Sequence, residues 1–178
     1  MKKKITIVID ASRNRSGGSI IYLKNFKKHL NIKGTNIKKV IIFSDKNLLS
    51  KIPNRSFLIK HNHPLLEKNI FFEIIWQWFF LPIFLKKNQI DVLYSTDSTT
   101  FCRFRPNIIF NQDILSFDKK TMQSIPFGLE KIRLYLIRFV QIRAFNNAKE
   151  ILFLSKFSKK LISKFIKIKK NLLLTIMV

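Results

Sequence analysis

The chain has 178 residues, of which 47% are hydrophobic, and it carries 34 lysines and arginines against 10 aspartates and glutamates. This length and apolar content exclude a disordered chain and suit one α/β domain with its own core. The net charge of +24 either predicts attraction to polyanions, such as nucleic acid, anionic lipid or phosphorylated substrates, or reflects AT-rich codon usage.

Cysteine and histidine usage indicates the compartment and argues against a metal site. The single cysteine, Cys102, cannot form an internal disulfide and is typical of a reducing cytoplasm. The apolar run that follows the N-terminal lysines is too short for the core of a secretory signal. His29, His61 and His63 lack the spacing of metal ligands, so we predict neither a metal nor a cofactor.

The first predicted strand leads into a glycine-bearing loop. Ile5–Ile9 is a continuous apolar run that suits a parallel sheet buried on both faces, and a helix is predicted over residues 19–31. The notable loop residues are Arg13, Arg15, Gly17 and Gly18. A strand, a loop and a helix in this order can aim backbone N–H groups at an anion. A tight turn that needs glycine for backbone freedom explains the same residues.

Two further strands and a strongly apolar helix are predicted next. Residues 40–44 and 57–60 form the strands, and residues 70–85 form the most apolar segment of the chain. A membrane-spanning helix needs about 20 apolar residues, and this run is shorter and contains Glu73 and Gln77 on one stripe. We therefore predict a core helix whose aromatic face is partly exposed.

Polar residues follow two consecutive predicted strands, residues 92–94 and 108–110. After the first strand come Ser95, Thr96, Asp97, Ser98, Thr99 and Thr100, and after the second come Asn111, Gln112 and Asp113. In an open α/β sheet, ligands bind in the crevice outside the carboxyl ends of the strands. The sequence therefore predicts the functional site at these two loops.

The rest of the chain continues the α/β alternation. Gly128 precedes a predicted helix of about 20 residues, whose apolar side chains recur with the spacing of an amphipathic face. A strand is predicted over residues 150–154, followed by a lysine-rich helix over residues 156–170. We expect one Rossmann-like, doubly wound parallel domain over residues 1–170. Residues 171–178 then form the start of a strand or a truncated tail.

These segments together resemble the N-terminal domain of a glycosyltransferase with the GT-B fold, from the large retaining group known as family four that builds bacterial surface polysaccharides. The similar segments are residues 5–18, the Trp76–Pro82 helix with the Asp91–Asp97 strand, the Asn111–Ser116 turn, and the strand and Ser-x-x-Ser turn at 148–158. Their order and spacing cover nearly the whole chain.

The resemblance implies a role as the acceptor-side half of such an enzyme. Gly17, Gly18, Arg13 and Arg15 would face the donor phosphates, whereas Ser95, Thr96, Asp97, Gln112 and Asp113 would bind the acceptor, with Gln112 and Asp113 the candidates nearest the reacting sugar. The substrate implied is a nucleotide sugar, and the acceptor is a glycan or a lipid-linked glycan, including lipopolysaccharide. The high positive charge would favour a peripheral position on the inner face of the plasma membrane.

The sequence departs from the family pattern at two places. Gln112 stands where many members have histidine, and an amide can bind a sugar hydroxyl but cannot shuttle a proton. The donor-binding domain that should follow Val178 is missing, so we expect a truncated chain that is inactive alone. The alternatives without catalysis are a basic nucleic-acid-binding protein, for which no known motif is visible, and a membrane-surface module anchored by residues 156–170.

Overall fold

Seven parallel strands form one sheet in the computed structural model, which describes residues 3–14, 32–166 and 173–175. The strands are β1 (Ile5–Asp10), β2 (Ile37–Phe43), β3 (Leu58–His61), β4 (Val92–Ser95), β5 (Asn107–Asn111), β6 (Glu150–Phe153) and β7 (Leu173–Thr175). Their order across the sheet is β3-β2-β1-β4-β5-β6-β7. The predicted helix over residues 19–31 and the loop residues Arg15, Gly17 and Gly18 lie outside the described residues.

The helices follow the strands in the predicted alternation. They are α1 (Lys46–Ser50), α2 (Ile70–Ile75), α3 (Leu81–Lys87), α4 (Lys119–Ser124), α5 (Leu129–Asn147) and α6 (Lys156–Ile162), together with a 3-10 turn at Pro64–Glu67. A π-helical turn, Trp76–Phe80, joins α2 to α3 without a break. No helix among these described residues is long and apolar enough to cross a membrane.

Alternation of side chains along the strands divides the core between the two faces of the sheet. Ile9, Tyr94 and Phe110 point to one face, where Leu48 and Leu49 of α1 pack against them. On the opposite face, α2–α3 covers one half of the sheet, while α5 and α6 cover the other. Helices therefore lie on both faces, and the predicted Rossmann-like single α/β domain is confirmed.

The apolar run at residues 70–85 forms a helix with an exposed aromatic face, as predicted. Trp76 is buried at 2% exposure, whereas Trp78 and Phe79 are 51% and 57% exposed. Their neighbours Glu73 and Gln77 are both buried, although a polar stripe usually faces solvent. Burial of these two side chains indicates that the polar stripe of this helix is turned into the protein.

Two helix predictions were wrong in detail. The predicted apolar stripe of α5, which includes Leu136 and Phe139, is largely exposed, at 61% and 64% for these two side chains, and Gln141 and Phe145 face the protein instead. The lysine-rich helix α6 ends at Ile162 and not at 170, with a turn over residues 163–166. Helix α6 itself contains three of the seven lysines of the predicted segment, and residues 167–170 of that segment lie outside the described residues.

Candidate functional site

A buried carboxylate at the end of β1 organises the carboxyl edge of the sheet. Asp10 is 3% exposed, and its Oδ1 accepts a hydrogen bond from the Ser12 backbone N–H at 3.1 Å. Its Oδ2 accepts one from the Gln77 Nε2 at 2.9 Å. Burial raises the pKa of Asp10 above its ordinary value, although these hydrogen bonds oppose the shift. The ionised form of Asp10 is therefore stabilised by the hydrogen bonds that Ser12 and Gln77 donate.

Gln77 joins the helical layer to this edge through three hydrogen bonds. Besides Asp10, its Nε2 lies 3.1 Å from the Ser12 Oγ, and its Oε1 accepts a hydrogen bond from the Phe101 backbone N–H at 3.3 Å. Gln77 is 1% exposed, so all three interactions are shielded from water. This amide holds the loop after β1 against the connector that follows β4.

Hydrogen bonds also tie together the ends of β1, β4 and β5. The Thr96 backbone N–H and Oγ1 both donate to the Asp10 carbonyl oxygen, at 3.1 and 2.9 Å. The Gln112 Nε2 in turn donates to the Thr96 carbonyl oxygen at 3.1 Å. The two polar loops predicted from the sequence therefore meet at one edge of the sheet, held in register by neutral donors.

An ion pair crosses the site above these strand ends. The Arg13 Nε lies 3.3 Å from the Asp97 Oδ2, and the Asp97 Oδ1 accepts a hydrogen bond from the Thr99 backbone N–H at 2.6 Å. The Arg13 side chain is 13% exposed and that of Asp97 is 32% exposed. Because Arg13 is already paired, an incoming phosphate has to compete with the Asp97 carboxylate for it.

A cavity of about 230 Å³ opens at this edge. Its lining residues are Arg13, Asn14, Thr96, Asp97, Ser98, Thr99, Gln112, Asp113, Arg133 and Ile137. The structure thus brings together five predicted site residues, namely Arg13, Thr96, Asp97, Gln112 and Asp113. Ser95 does not join them, because its side chain is buried and its Oγ lies 3.3 Å from the Asn107 Oδ1.

Three lining residues were missed by the sequence analysis, namely Asn14, Arg133 and Ile137. Asn14 is 2% exposed, and its buried Nδ2 has no hydrogen-bond acceptor among the described residues, although Asn14 lines the cavity. Arg133 reaches the cavity from the first half of α5. Asn14 lies inside the predicted loop, between the candidates Arg13 and Arg15, so the sequence offered it although it was not selected. Arg133 is brought in only by the packing of the helix.

Helix α5 is positioned against the site by a buried glutamine. The Gln141 Nε2 donates to the Ser98 Oγ at 2.9 Å, and the Gln141 Oε1 accepts a hydrogen bond from the Ser116 Oγ at 2.8 Å. Arg133 and Ile137 precede Gln141 by two turns and one turn of the same helix, which places all three on one side of it. This glutamine therefore sets the register that presents Arg133 to the cavity.

The cavity suits a ligand that donates and accepts many hydrogen bonds. Asp113 is exposed, and its Oδ1 accepts from the Leu115 backbone N–H at 2.8 Å, which leaves its other carboxylate oxygen toward solvent. Asn14 supplies a neutral donor, and Arg133 supplies a cation. Among residues 3–14, 32–166 and 173–175, no three histidine, cysteine or acidic side chains are grouped to hold a metal ion. A polyhydroxylated ligand matches this mixture of donors and acceptors.

Comparison with known proteins shows similarity in fold and not in sequence. No family model matches the sequence, and no curated protein shows significant sequence similarity to it. Among solved structures, a glycosyltransferase from Rickettsia africae ESF-5 resembles the chain with a TM-score of 0.50 and 16% sequence identity. The similarity covers 98% of this chain and 43% of that protein, so this chain spans less than half of its length. The chain therefore shares its Rossmann-like α/β fold with part of a glycosyltransferase.

Proposed function

We propose that this chain is the acceptor-side half of a glycosyltransferase that transfers a hexosyl group from a nucleotide sugar to a glycan or lipid-linked acceptor in surface polysaccharide synthesis. In this proposal it is the N-terminal half of a GT-B enzyme of the retaining family-four type. The donor-binding half belongs to a separate domain, so the chain alone binds an acceptor sugar and does not turn over the donor.

The observation that carries the proposal is the 230 Å³ cavity at the carboxyl edge of the sheet. Ligands of open α/β sheets bind at this edge. Asp97 and Asp113 supply carboxylates, while Asn14 and Gln112 supply amides, and these groups hydrogen-bond sugar hydroxyls. The fold similarity to 43% of a glycosyltransferase supports the same division into halves.

Charge at the site supports a mechanism based on stabilising the leaving group. A nucleoside diphosphate gains negative charge as the sugar departs, and nearby cations and backbone N–H groups stabilise that charge. Arg133 is the cation of the cavity that has no ion pair among the described residues, whereas Arg13 is paired with Asp97. Gln112 positions a hydroxyl but moves no proton, which leaves the Asp113 carboxylate as the proton acceptor of this half.

The acceptor role can be tested by saturation-transfer NMR with a panel of hexoses and disaccharides. Asp113→Asn keeps an oxygen for the Leu115 N–H but removes the charge. We expect it to weaken binding about tenfold or more, because a hydrogen bond to a charged group contributes about 1.5–3 kcal/mol. The matched control is Asp118→Asn, since Asp118 caps α4 and does not line the cavity. Equal weakening by both variants would contradict the proposed site.

The salt dependence of duplex binding distinguishes the rival function, nucleic-acid binding, from the proposed one. A chain with a net charge of +24 binds any duplex weakly at low salt, and this attraction falls steeply as salt is added. We expect no tight, sequence-dependent affinity for a short duplex at about 0.15 M salt. Such an affinity, together with no response to any sugar of the panel, would favour the rival.

The proposal places the chain on the cytoplasmic face of the membrane, where lipid-linked acceptors are presented. The excess of lysine and arginine supports electrostatic attraction to anionic lipid headgroups. Pelleting with vesicles of neutral lipid, and with vesicles that contain an anionic lipid, measures this attraction directly. Equal pelleting with both kinds of vesicle would refute the electrostatic part of the proposal.

A further inference from the structure

A second cavity lies beside the connection between β4 and β5, on the face of the sheet that α2–α3 and α5 cover, and this connection contains no helix. Residues 96–106 form an irregular segment without strand or helix, although a helix usually fills such a crossover. Trp78 of the π-helical turn and Phe139 of α5 leave a gap beside this segment. A cavity of about 360 Å³, the groove cavity, lies in the gap.

The groove cavity combines apolar walls with arginines. The apolar contribution comes from Trp78, Phe101 and Phe139, and the cationic one comes from Arg103, Arg105 and Arg143. No carboxylate lines the cavity, and neither ion pair found among the described residues involves these three arginines. All ten acidic residues of the chain lie in the part that the structure describes, and none of them lines the groove cavity. The three arginines of the groove are therefore not neutralised by a lining carboxylate.

One of the three arginines is fixed in place by the protein. The Arg105 Nε donates to the Asn147 carbonyl oxygen and to the Asn147 Oδ1, both at 3.0 Å, at the carboxyl end of α5. Arg103 and Arg143 are exposed, and neither makes a hydrogen bond or an ion pair of this kind with the described residues. A guanidinium group binds phosphate oxygens in a bidentate manner, so this cluster suits a phosphate group.

The surface on either side of the groove cavity is unusually apolar. On one side, Trp78 and Phe79 are 51% and 57% exposed and stack at a centroid distance of 5.6 Å. On the other side, Leu136 and Phe139 of α5 are 61% and 64% exposed. Clusters of exposed apolar side chains mark binding surfaces, and tryptophan favours the boundary between water and lipid.

We propose that the groove cavity binds the phosphate of an anionic phospholipid, and that the flanking aromatic side chains enter the bilayer surface. The groove therefore docks the chain on a membrane. A second copy of this chain fits less well, because it repeats the charge of +24, and a free phosphate leaves the apolar walls uncovered. The groove is separate from the sugar cavity, so this docking does not rest on the proposed transferase function.

Vesicle titration of the whole chain tests the docking, with phosphatidylcholine alone and with phosphatidylcholine plus phosphatidylglycerol. Arg103→Gln with Arg143→Gln is compared with Lys119→Gln and Lys120→Gln, which remove the same charge from exposed positions of α4. We expect the double arginine substitution to lower the affinity for the anionic vesicles about tenfold or more. The double lysine substitution should lower it about twofold. Equal losses would show attraction by net charge alone and would overturn the inference.

Tryptophan fluorescence supplies a readout that does not depend on net charge. The chain has two tryptophans, of which Trp76 is buried and Trp78 is exposed. We expect a blue shift on adding anionic vesicles, and the shift should disappear in Trp78→Phe while binding persists. The absence of a shift in the unaltered chain would overturn the inference.

Two further measurements distinguish the other occupants. Glycerol 1-phosphate in solution should not displace the vesicles at millimolar concentration, and displacement would show a site for a free phosphate. Sedimentation velocity should show that the unaltered chain does not self-associate. Self-association that disappears in the Arg103→Gln, Arg143→Gln variant would show that the groove instead binds a second copy of the chain.

Discussion

Replacement of Gln77 by leucine should destabilise the fold through the Asp10 carboxylate. The change removes the 2.9 Å hydrogen bond to the Asp10 Oδ2 and leaves the Phe101 N–H without its partner. An unsatisfied buried charged group costs about 2–3 kcal/mol and an unsatisfied N–H about 1 kcal/mol. The added apolar burial offsets about 1 kcal/mol. The free energy of unfolding should therefore fall by about 2–3 kcal/mol, out of a total of about 5–15 kcal/mol.

The size of this loss should depend on pH. Burial raises the folded-state pKa of Asp10 above its unfolded value, so its stability contribution is full below the unfolded pKa and declines as pH rises through the folded pKa. Gln77 lowers the folded pKa, so its removal raises that pKa further and penalises the ionised carboxylate. The deficit of Gln77→Leu should therefore be larger at about pH 8 than at about pH 5.

Urea unfolding followed by circular dichroism at both pH values measures this deficit. The matched control is Gln123→Leu, because Gln123 is exposed on α4, and we expect it to change stability by about 0.5 kcal/mol or less. A Gln77→Leu deficit below about 1 kcal/mol, or one that is the same at both pH values, would refute the assigned role of Gln77.

Two other predictions concern single groups. Burial raises the pKa of the Cys102 thiol to about 12, so we expect the native chain to resist iodoacetamide at about pH 8 and to be labelled in urea, as measured by mass spectrometry; rapid labelling of the native chain would contradict this. Asp91 accepts hydrogen bonds from the Lys3 Nζ and the Thr6 N–H, which lower its pKa, so its stabilisation is present above its ordinary pKa and is lost as pH falls through the folded value. Asp91→Asn should lower the free energy of unfolding by about 0.5–1 kcal/mol at neutral pH and by less in acid, and a loss that does not change with pH would contradict the assignment.

Local sequence predicted the strands well because each contains a short apolar run and polar or turn-forming residues follow it. It also predicted that α5 exists, but it assigned the wrong side of that helix to the core. The reason is Gln141, whose amide bonds to Ser98 and Ser116 and so turns a polar residue inward and leaves Phe139 outside. Periodicity records which residues are apolar and contains no information on hydrogen bonds between distant segments.

The sequence could predict those parts of the candidate site whose position follows from the strand topology alone. Parallel strands place their carboxyl ends at one edge, so the loops containing Thr96 and Gln112 had to be neighbours. Arg133 could not be found in this way, because its position depends on how a helix packs over that edge. Whether these residues bind a sugar is decided by the titration of the Asp113 variant.

The strand order also has a consequence for synthesis on the ribosome. Strand β1 lies in the interior of the sheet between β2 and β4, so it stays unpaired on one side until residues 92–95 have emerged. From β4 onward, each new strand adds beside the previous one, so the sheet can grow in one direction as the chain lengthens. Until residues 92–95 emerge, the unpaired edge of β1 can pair with other nascent chains. A chaperone would therefore protect the chain most during this interval.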